Sequence, residues 1–144
     1  MVVQNKGLEK ACCFYVSEFH LEMILVPYIN EKIDENITIL TEKNLKETLK
    51  ILISKMNLKE ENKEKILKLG WDGEEKIEEN SNVIIIGSRE YIKKRNEEIE
   101  NKNAVSVLDC YDFEEEKNNI NNIVNQYKNT LNTLGKNNFW KFLV

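Results

Sequence analysis

The sequence has few of the residues that most often mark a catalytic or cofactor site. It contains one histidine, His20, so a histidine-based metal cluster is excluded and a Ser/His/Asp triad would have to use this residue. Neither GxGxxG nor GxxxxGK followed by Ser or Thr occurs, so the glycine-rich loops that hold nucleotide phosphates are missing. The sequence therefore identifies no catalytic residue and no cofactor.

Cysteine is also scarce, and long apolar runs are missing. Three cysteines cannot form a closed disulfide framework, which favours buried thiols in a reducing compartment. The internal apolar runs, such as Met23 to Pro27, are far shorter than the roughly 20 residues that span a bilayer. The N-terminus has no secretory pattern. We therefore expect a soluble, cytoplasmic protein with no membrane partner.

Basic residues are not in excess. They number 21 against 25 acidic residues and are scattered along the chain. A protein that binds nucleic acid through phosphates usually has a basic face, so nucleic acid is not an expected partner.

What the sequence does contain is a repeated pattern of a short apolar run, a polar break and a helix-forming segment. The clearest example is Asn82 to Tyr91, NVIIIGSREY, and similar runs begin at Ile37 and Val105. Lys10 to Val16 is a further strand in which Cys12 and Cys13 point to opposite sheet faces. Continuous apolar runs are typical of parallel strands covered on both faces. The pattern predicts one three-layer α/β domain with a mainly parallel four-stranded sheet, Rossmann-like or recombinase-like without a P-loop.

The connections allow further predictions. The default strand order is 2-1-3-4. The fourth strand is predicted over 104–108, followed by a long helix that Gly135 ends. The first helix contains Pro27, which predicts a kink or an early break near Met23 to Pro27. Residues 1–9 and 136–144 are predicted to be loose or partner-docking arms, and the aromatic Trp140 and Phe142 suggest a homodimer contact.

Parallel strands place their carboxyl ends at one edge of the sheet, where ligands usually bind. The residues predicted to lie there form a polar rim. The candidate ligand-binding residues are Tyr15, Ser17, His20, Glu42, Gly87, Ser88, Arg89, Asp109 and Tyr111.

Several of these residues have a structural alternative. Ser88 and Arg89 begin a helix and suit one anionic group, but Ser88 is also a typical N-cap and Arg89 a typical solvated charge. Glu42, Asp109 and Asp112 suit magnesium if they converge, whereas Asp112 before FEEE is also a typical cap. His20 is either a packed side chain or a general base.

Two segments resemble a known family. Cys12 to Asn44 contains a strand that ends in Phe-Tyr, an acidic turn and a helix with a Val-Pro-Tyr-Ile step, and Val107 to Tyr127 contains a Cys-Tyr-Asp step. Together they cover about 55 of 144 residues and resemble the MEDS sensory domains of methanogens and methylotrophs. Ala11 and Cys12 stand where that family has a histidine. The resemblance implies a recombinase-like α/β module that senses small one-carbon or hydrocarbon compounds, with Phe14, Tyr15, Ser17, Cys110 and Tyr111 at its mouth.

Three functional hypotheses follow. The leading one is a non-catalytic ligand-sensing or regulatory module that binds a small molecule or a nucleotide at the carboxyl ends of the strands. The second is a magnesium-dependent phosphoryl-transfer or hydrolytic enzyme that uses Glu42, Asp109 and Asp112. The third is a structural dimer or adaptor.

Overall fold

The computed structural model describes residues 8–73, 76–132 and 135–138. They form a mainly parallel β-sheet with helices on both faces, which confirms the predicted α/β class. The strands are β1 Glu9–Tyr15, β2 Ile37–Thr41, β3 Asn82–Ile86, β4 Ser106–Asp112, β5 Asn129–Asn132 and β6 Gly135–Asn138. The helices are α1 Glu18–Glu31, α2 Lys46–Lys55, α3 Glu60–Leu67, α4 Arg89–Glu98, α5 Phe113–Glu116 and α6 Ile120–Val124. No helix among these has the length and apolar character needed to cross a membrane.

The predicted strand order is wrong. The sheet runs β2-β3-β4-β1-β5-β6, and only β6 is antiparallel to its neighbour. β1 and β4 are the longest strands, with seven residues each, and pair along their whole length from Glu9 opposite Ser106 to Tyr15 opposite Asp112. This long pairing places both strands at the centre of the sheet. The default order treats the four strand–helix units as equivalent and does not predict that β1 and β4 are neighbours.

Two hydrophobic clusters cover the two faces of the sheet. The α1 face carries α1, α2 and α3, and the α4 face carries α4, α5 and α6. Because side chains alternate along a strand, Cys13 belongs to the α1 face and Cys12 to the α4 face, as predicted. All three cysteines are buried free thiols.

The helices α2 and α3 pack on the α1 face, and the chain after them returns to the carboxyl end of β2. There the Leu45 N–H donates to the Trp71 carbonyl at 2.8 Å. The chain then runs back along the other face of β2, where the Glu78 N–H donates to Thr38 Oγ1 at 3.2 Å. Ile77 packs into the α4-face cluster. Both faces of this strand are thereby covered, which explains its continuous apolar sequence.

The C-terminal third differs most from the prediction. β4 extends to Asp112 instead of ending at Leu108, because its last residues pair with β1. The long helix predicted after it is replaced by α5, α6 and the strand β5, which pairs with the open edge of β1. Gly135 begins β6 and ends no helix.

The first helix is also more regular than predicted. α1 continues through Pro27 to Glu31, so the early break is wrong. Pro27 is exposed, so the carbonyl that loses its intrahelical donor lies on the solvent side, where water can replace the bond.

Part of the predicted arms can be placed. Glu9 begins β1, and residues 136–138 lie in β6. Trp140 and Phe142 lie outside the described residues, so the predicted dimer contact stays a prediction.

A substitution at Trp71 tests how the segment that contains α2 and α3 packs on the sheet. The Trp71 side chain is fully buried, and its indole N–H donates to the Ile66 carbonyl at 2.7 Å. We expect Trp71→Ala to lower the free energy of unfolding by about 3–5 kcal/mol, because it leaves a large cavity. Urea denaturation measures this, with the exposed Ile51→Ala as control, expected within about 0.5 kcal/mol of wild type. A loss below about 1 kcal/mol for Trp71→Ala would contradict this packing.

Candidate functional site

The carboxyl ends of the strands are closed by the protein's own side chains. Glu42, at the end of β2, accepts a hydrogen bond from the Ser88 N–H at 2.6 Å and so occupies the N-terminus of α4. Gly87 permits this approach, because a Cβ at this position would lie 2.5 Å from Glu42 Oε1 and 2.6 Å from the Tyr91 ring. Ser88 is the N-cap of α4 and accepts from the Tyr91 N–H. The anion site predicted at Ser88 and Arg89 is therefore filled by an internal carboxylate.

Three further polar residues near the strand ends, Ser17, His20 and Asp112, are also engaged in local structure. Ser17 is the N-cap of α1 and accepts from the His20 N–H. His20 Nδ1 accepts from the Val16 N–H at 3.0 Å, which closes the turn between β1 and α1. Asp112 caps α5 by accepting from the Glu114 and Glu115 N–H groups. These contacts match the capping alternatives given for Ser17, Ser88 and Asp112.

The structure does not bring the predicted magnesium ligands together. Glu42 binds the start of α4, Asp112 caps α5, and Asp109 lies in the middle of β4. In the described part of the chain, no group of three or more His, Cys, Asp or Glu side chains is placed to hold a metal ion.

The residues implied by the MEDS resemblance lie on both faces of the sheet. Tyr15 and Cys110 belong to the α1 face, whereas Phe14 and Tyr111 belong to the α4 face, where their rings stack at 5.6 Å. Of the nine candidate ligand-binding residues, three line a single cavity: Arg89, Asp109 and Tyr111.

This cavity is a groove of about 390 Å³ on the α4 face, between α4 and the segment that contains α6 and Tyr127. We call it the α4–α6 groove. It lies beside the short helices α5 and α6, which have only four and five residues. A second cavity of about 190 Å³ adjoins it and shares Lys10, Asn96 and Glu100. The lining of the groove is Lys10, Arg89, Ile92, Lys93, Asn96, Glu97, Glu100, Asp109, Tyr111, Ile123, Gln126 and Tyr127.

The floor of the groove holds a fully buried carboxylate. Asp109 is 0% exposed and pairs in the sheet with Cys12 on one side and Ile85 on the other. Its Oδ1 accepts from Asn96 Nδ2 at 3.1 Å, and its Oδ2 accepts from the Tyr127 hydroxyl at 2.5 Å. Because the Tyr127 hydrogen points to Asp109, the Tyr111 hydroxyl donates to Tyr127, at 2.7 Å. We call these four side chains the carboxylate network.

Burial sets the proton affinities in this network. It raises the pKa of Asp109 above its ordinary value of 3.8, although the bond from Tyr127, the charge of Lys10 and the bond from Asn96 lower it in part. Burial also raises the pKa of Tyr127 and of Tyr111, and the Asp109 carboxylate adds to both shifts. Neither phenol ionises near neutral pH, so both act as hydrogen-bond donors.

Sequence reasoning missed Lys10, Asn96 and Tyr127. A signal for Asn96 was present, since it lies four residues after Ile92 and three before Ile99 and so replaces an apolar residue on the buried stripe of α4. Tyr127 matches the apolar spacing of the long helix predicted after the fourth strand. Its role depends on the turn before β5, which that pattern does not show.

Comparison of the chain with protein-family models, with curated proteins and with solved structures finds no match. The resemblance to MEDS sensory domains therefore depends on the quoted residues alone.

The raised pKa of Asp109 predicts a specific pH dependence. An acid whose pKa is higher in the folded state favours folding most when it is protonated, and this contribution is lost as pH rises through the folded-state pKa. Asp109→Asn keeps the shape and cannot ionise. We therefore expect the stability of wild type relative to Asp109→Asn to fall from about pH 4 upwards and then to level off.

Urea denaturation of both proteins between about pH 4 and pH 8 measures this difference. A difference that stays constant over the whole range would show that Asp109 titrates alike in the folded and unfolded chain.

The two tyrosines provide a matched pair of variants. Tyr127→Phe removes a donor from the buried Asp109, so we expect a loss of about 1–3 kcal/mol in the free energy of unfolding. Tyr111→Phe removes the hydroxyl at the end of the relay and leaves the bond from Tyr127 to Asp109 intact, so its loss should be smaller. Equal losses, measured by urea denaturation at neutral pH, would contradict the assigned direction of the relay.

Proposed function

We propose that this protein is a non-catalytic ligand-sensing module that binds a small polar molecule in the α4–α6 groove. The observation that supports it best is the fully buried Asp109 at the floor of an open groove of about 390 Å³. Acidic residues are rarely buried to this extent, and an acid in a cleft whose pKa is raised by burial is a typical mark of a functional site. The volume is within the usual range of small-molecule sites, about 300–1,000 Å³.

The chemistry of the groove favours binding over catalysis. A nucleophile or general base near neutral pH needs a pKa close to that pH or a partner that takes its proton. The tyrosines have raised pKa values and donate their hydrogens within the network. Burial also raises the pKa of Cys12, on the same face, which keeps this thiol protonated and unreactive.

The charges favour a small molecule over a nucleotide. Lys10, Arg89 and Lys93 line the groove together with three acidic residues, Glu97, Glu100 and Asp109. A polyphosphate would meet these acids, and the nearest helix N-terminus is already occupied by Glu42. A sensory role also agrees with the resemblance to MEDS domains.

A thermal-shift screen with small polar metabolites tests the proposal. A ligand at 100 times its Kd stabilises the folded state by about 2.7 kcal/mol, so a true ligand should raise Tm by several degrees. Gln126→Trp, at an exposed position of the groove wall, should reduce this shift by filling the groove. The matched control is Ile51→Trp, an exposed position on the opposite face, which should keep the full shift.

Compounds that stabilise wild type and Gln126→Trp equally would place the site elsewhere. The absence of any stabilising compound in a broad library, nucleotides included, would count against a sensing role.

A further inference from the structure

We infer that the ligand of the α4–α6 groove is a small zwitterion whose ammonium group binds Asp109 and whose carboxylate binds Arg89. This inference rests on the proposed function and specifies the chemical class of its ligand. It depends on two buried carboxylates, Asp109 and Glu116. The first supplies hydrogen-bond acceptors for the ligand, and the second lies beside Arg89, which lines the groove.

Asp109 is 0% exposed, so an ammonium group reaches it when the partly buried Asn96 side chain, which lines the groove, turns away from Oδ1. A carboxylate accepts about four hydrogen bonds, and Asp109 receives one on each oxygen, both from uncharged groups. Lys10 lies with its ammonium 5.8 Å from the centre of the Tyr127 ring, and its charge does not offset the burial of Asp109. An ammonium group bound in the groove would supply the compensating charge at short range.

Glu116 holds Arg89 at the wall of the groove. Its side chain is 8% exposed and its Oε1 is buried without a hydrogen bond, with Arg89 Nε 3.4 Å away as an ion-pair contact. Arg89 itself is half-exposed and lines the groove. In the part of the chain that the structure describes, its two terminal amino groups donate to no side chain. Two parallel N–H groups on an anchored guanidinium fit a carboxylate in bidentate geometry.

The spacing of Arg89 and Asn96 along α4 favours an extended ligand. Arg89 and Asn96, which binds Asp109, are seven residues apart on α4, or about 10.5 Å along its axis. The ligand's charged groups should therefore be separated by several bonds, as in an ω-amino acid. A polyanion or a dication would bring a like charge against Asp109 or Arg89.

Isothermal titration with a length series tests this inference. The probes are glycine, γ-aminobutyrate and ε-aminocaproate, together with butylamine, butyrate, hexylamine and caproate. We expect one of the longer zwitterions to bind at least about tenfold more tightly than glycine and than its own amine and acid.

Two variants separate the two ends of the ligand. Asp109→Asn should weaken the zwitterion at least about tenfold and leave the binding of the acid unchanged. Arg89→Lys keeps a cation for Glu116 but lacks the guanidinium fork, so it should weaken the zwitterion by a similar factor and leave the amine unchanged. Circular dichroism and Tm establish that both variants are folded.

The inference is overturned if an amine or an acid alone binds as tightly as the zwitterion, or if both variants bind it as wild type does. If a compound outside this class binds wild type and fails to bind Gln126→Trp, the groove is a ligand site and only the zwitterion class is wrong. If no compound of any class binds in a way that Gln126→Trp prevents, the proposed function fails as well.

Discussion

The full-length parallel pairing of β1 with β4 is the constraint on which the rest of the structure depends. It puts the two longest strands at the centre of the sheet and sends the helix after β1 to one face and the helices after β3 and β4 to the other. It also leaves the far edge of β1 open for β5. Because residues alternate along β4, the pairing directs Val107, Asp109 and Tyr111 towards the α4 face.

The α4 face is where the protein departs from a simple hydrophobic core. The helices α5 and α6 are short, and the strip of β4 beneath the groove holds a buried carboxylate where the strand pattern would place an apolar residue. Tyr127 and Asn96 each donate to one of its oxygens, Tyr111 donates to Tyr127, and burial raises the Asp109 pKa. Local conflicts with the rules of core packing are expected mainly at functional sites, which is the basis for proposing a ligand site at this strip.

At the carboxyl ends of the parallel strands, the protein's own side chains occupy the positions where a ligand usually binds. Ligands of such folds bind at the carboxyl ends of the strands, where helix N-termini and loops leave unpaired donors. In this protein Glu42 binds the start of α4, His20 closes the turn after β1 and Asp112 caps α5. The donors that would hold a ligand there are already used, so the open polar surface lies along the face of the sheet. Arg89, Asp109 and Tyr111 were predicted at the strand ends and also line the groove, so the prediction named part of its lining.

The sequence by itself determined the features that depend on local periodicity and on short-range hydrogen bonds. The apolar runs at Ile37, Asn82 and Val105 identified the parallel strands, and Ser17, Ser88 and Asp112 were recognisable as caps because a cap binds amides two or three residues away. Strand order, the extension of β4 and the strands β5 and β6 were decided by the tertiary structure, because each depends on pairing with a distant segment. The groove has the same origin. Asp109, Asn96 and Tyr127 become neighbours only when the sheet, α4 and the turn before β5 are packed together, and no spacing along the chain encodes that contact.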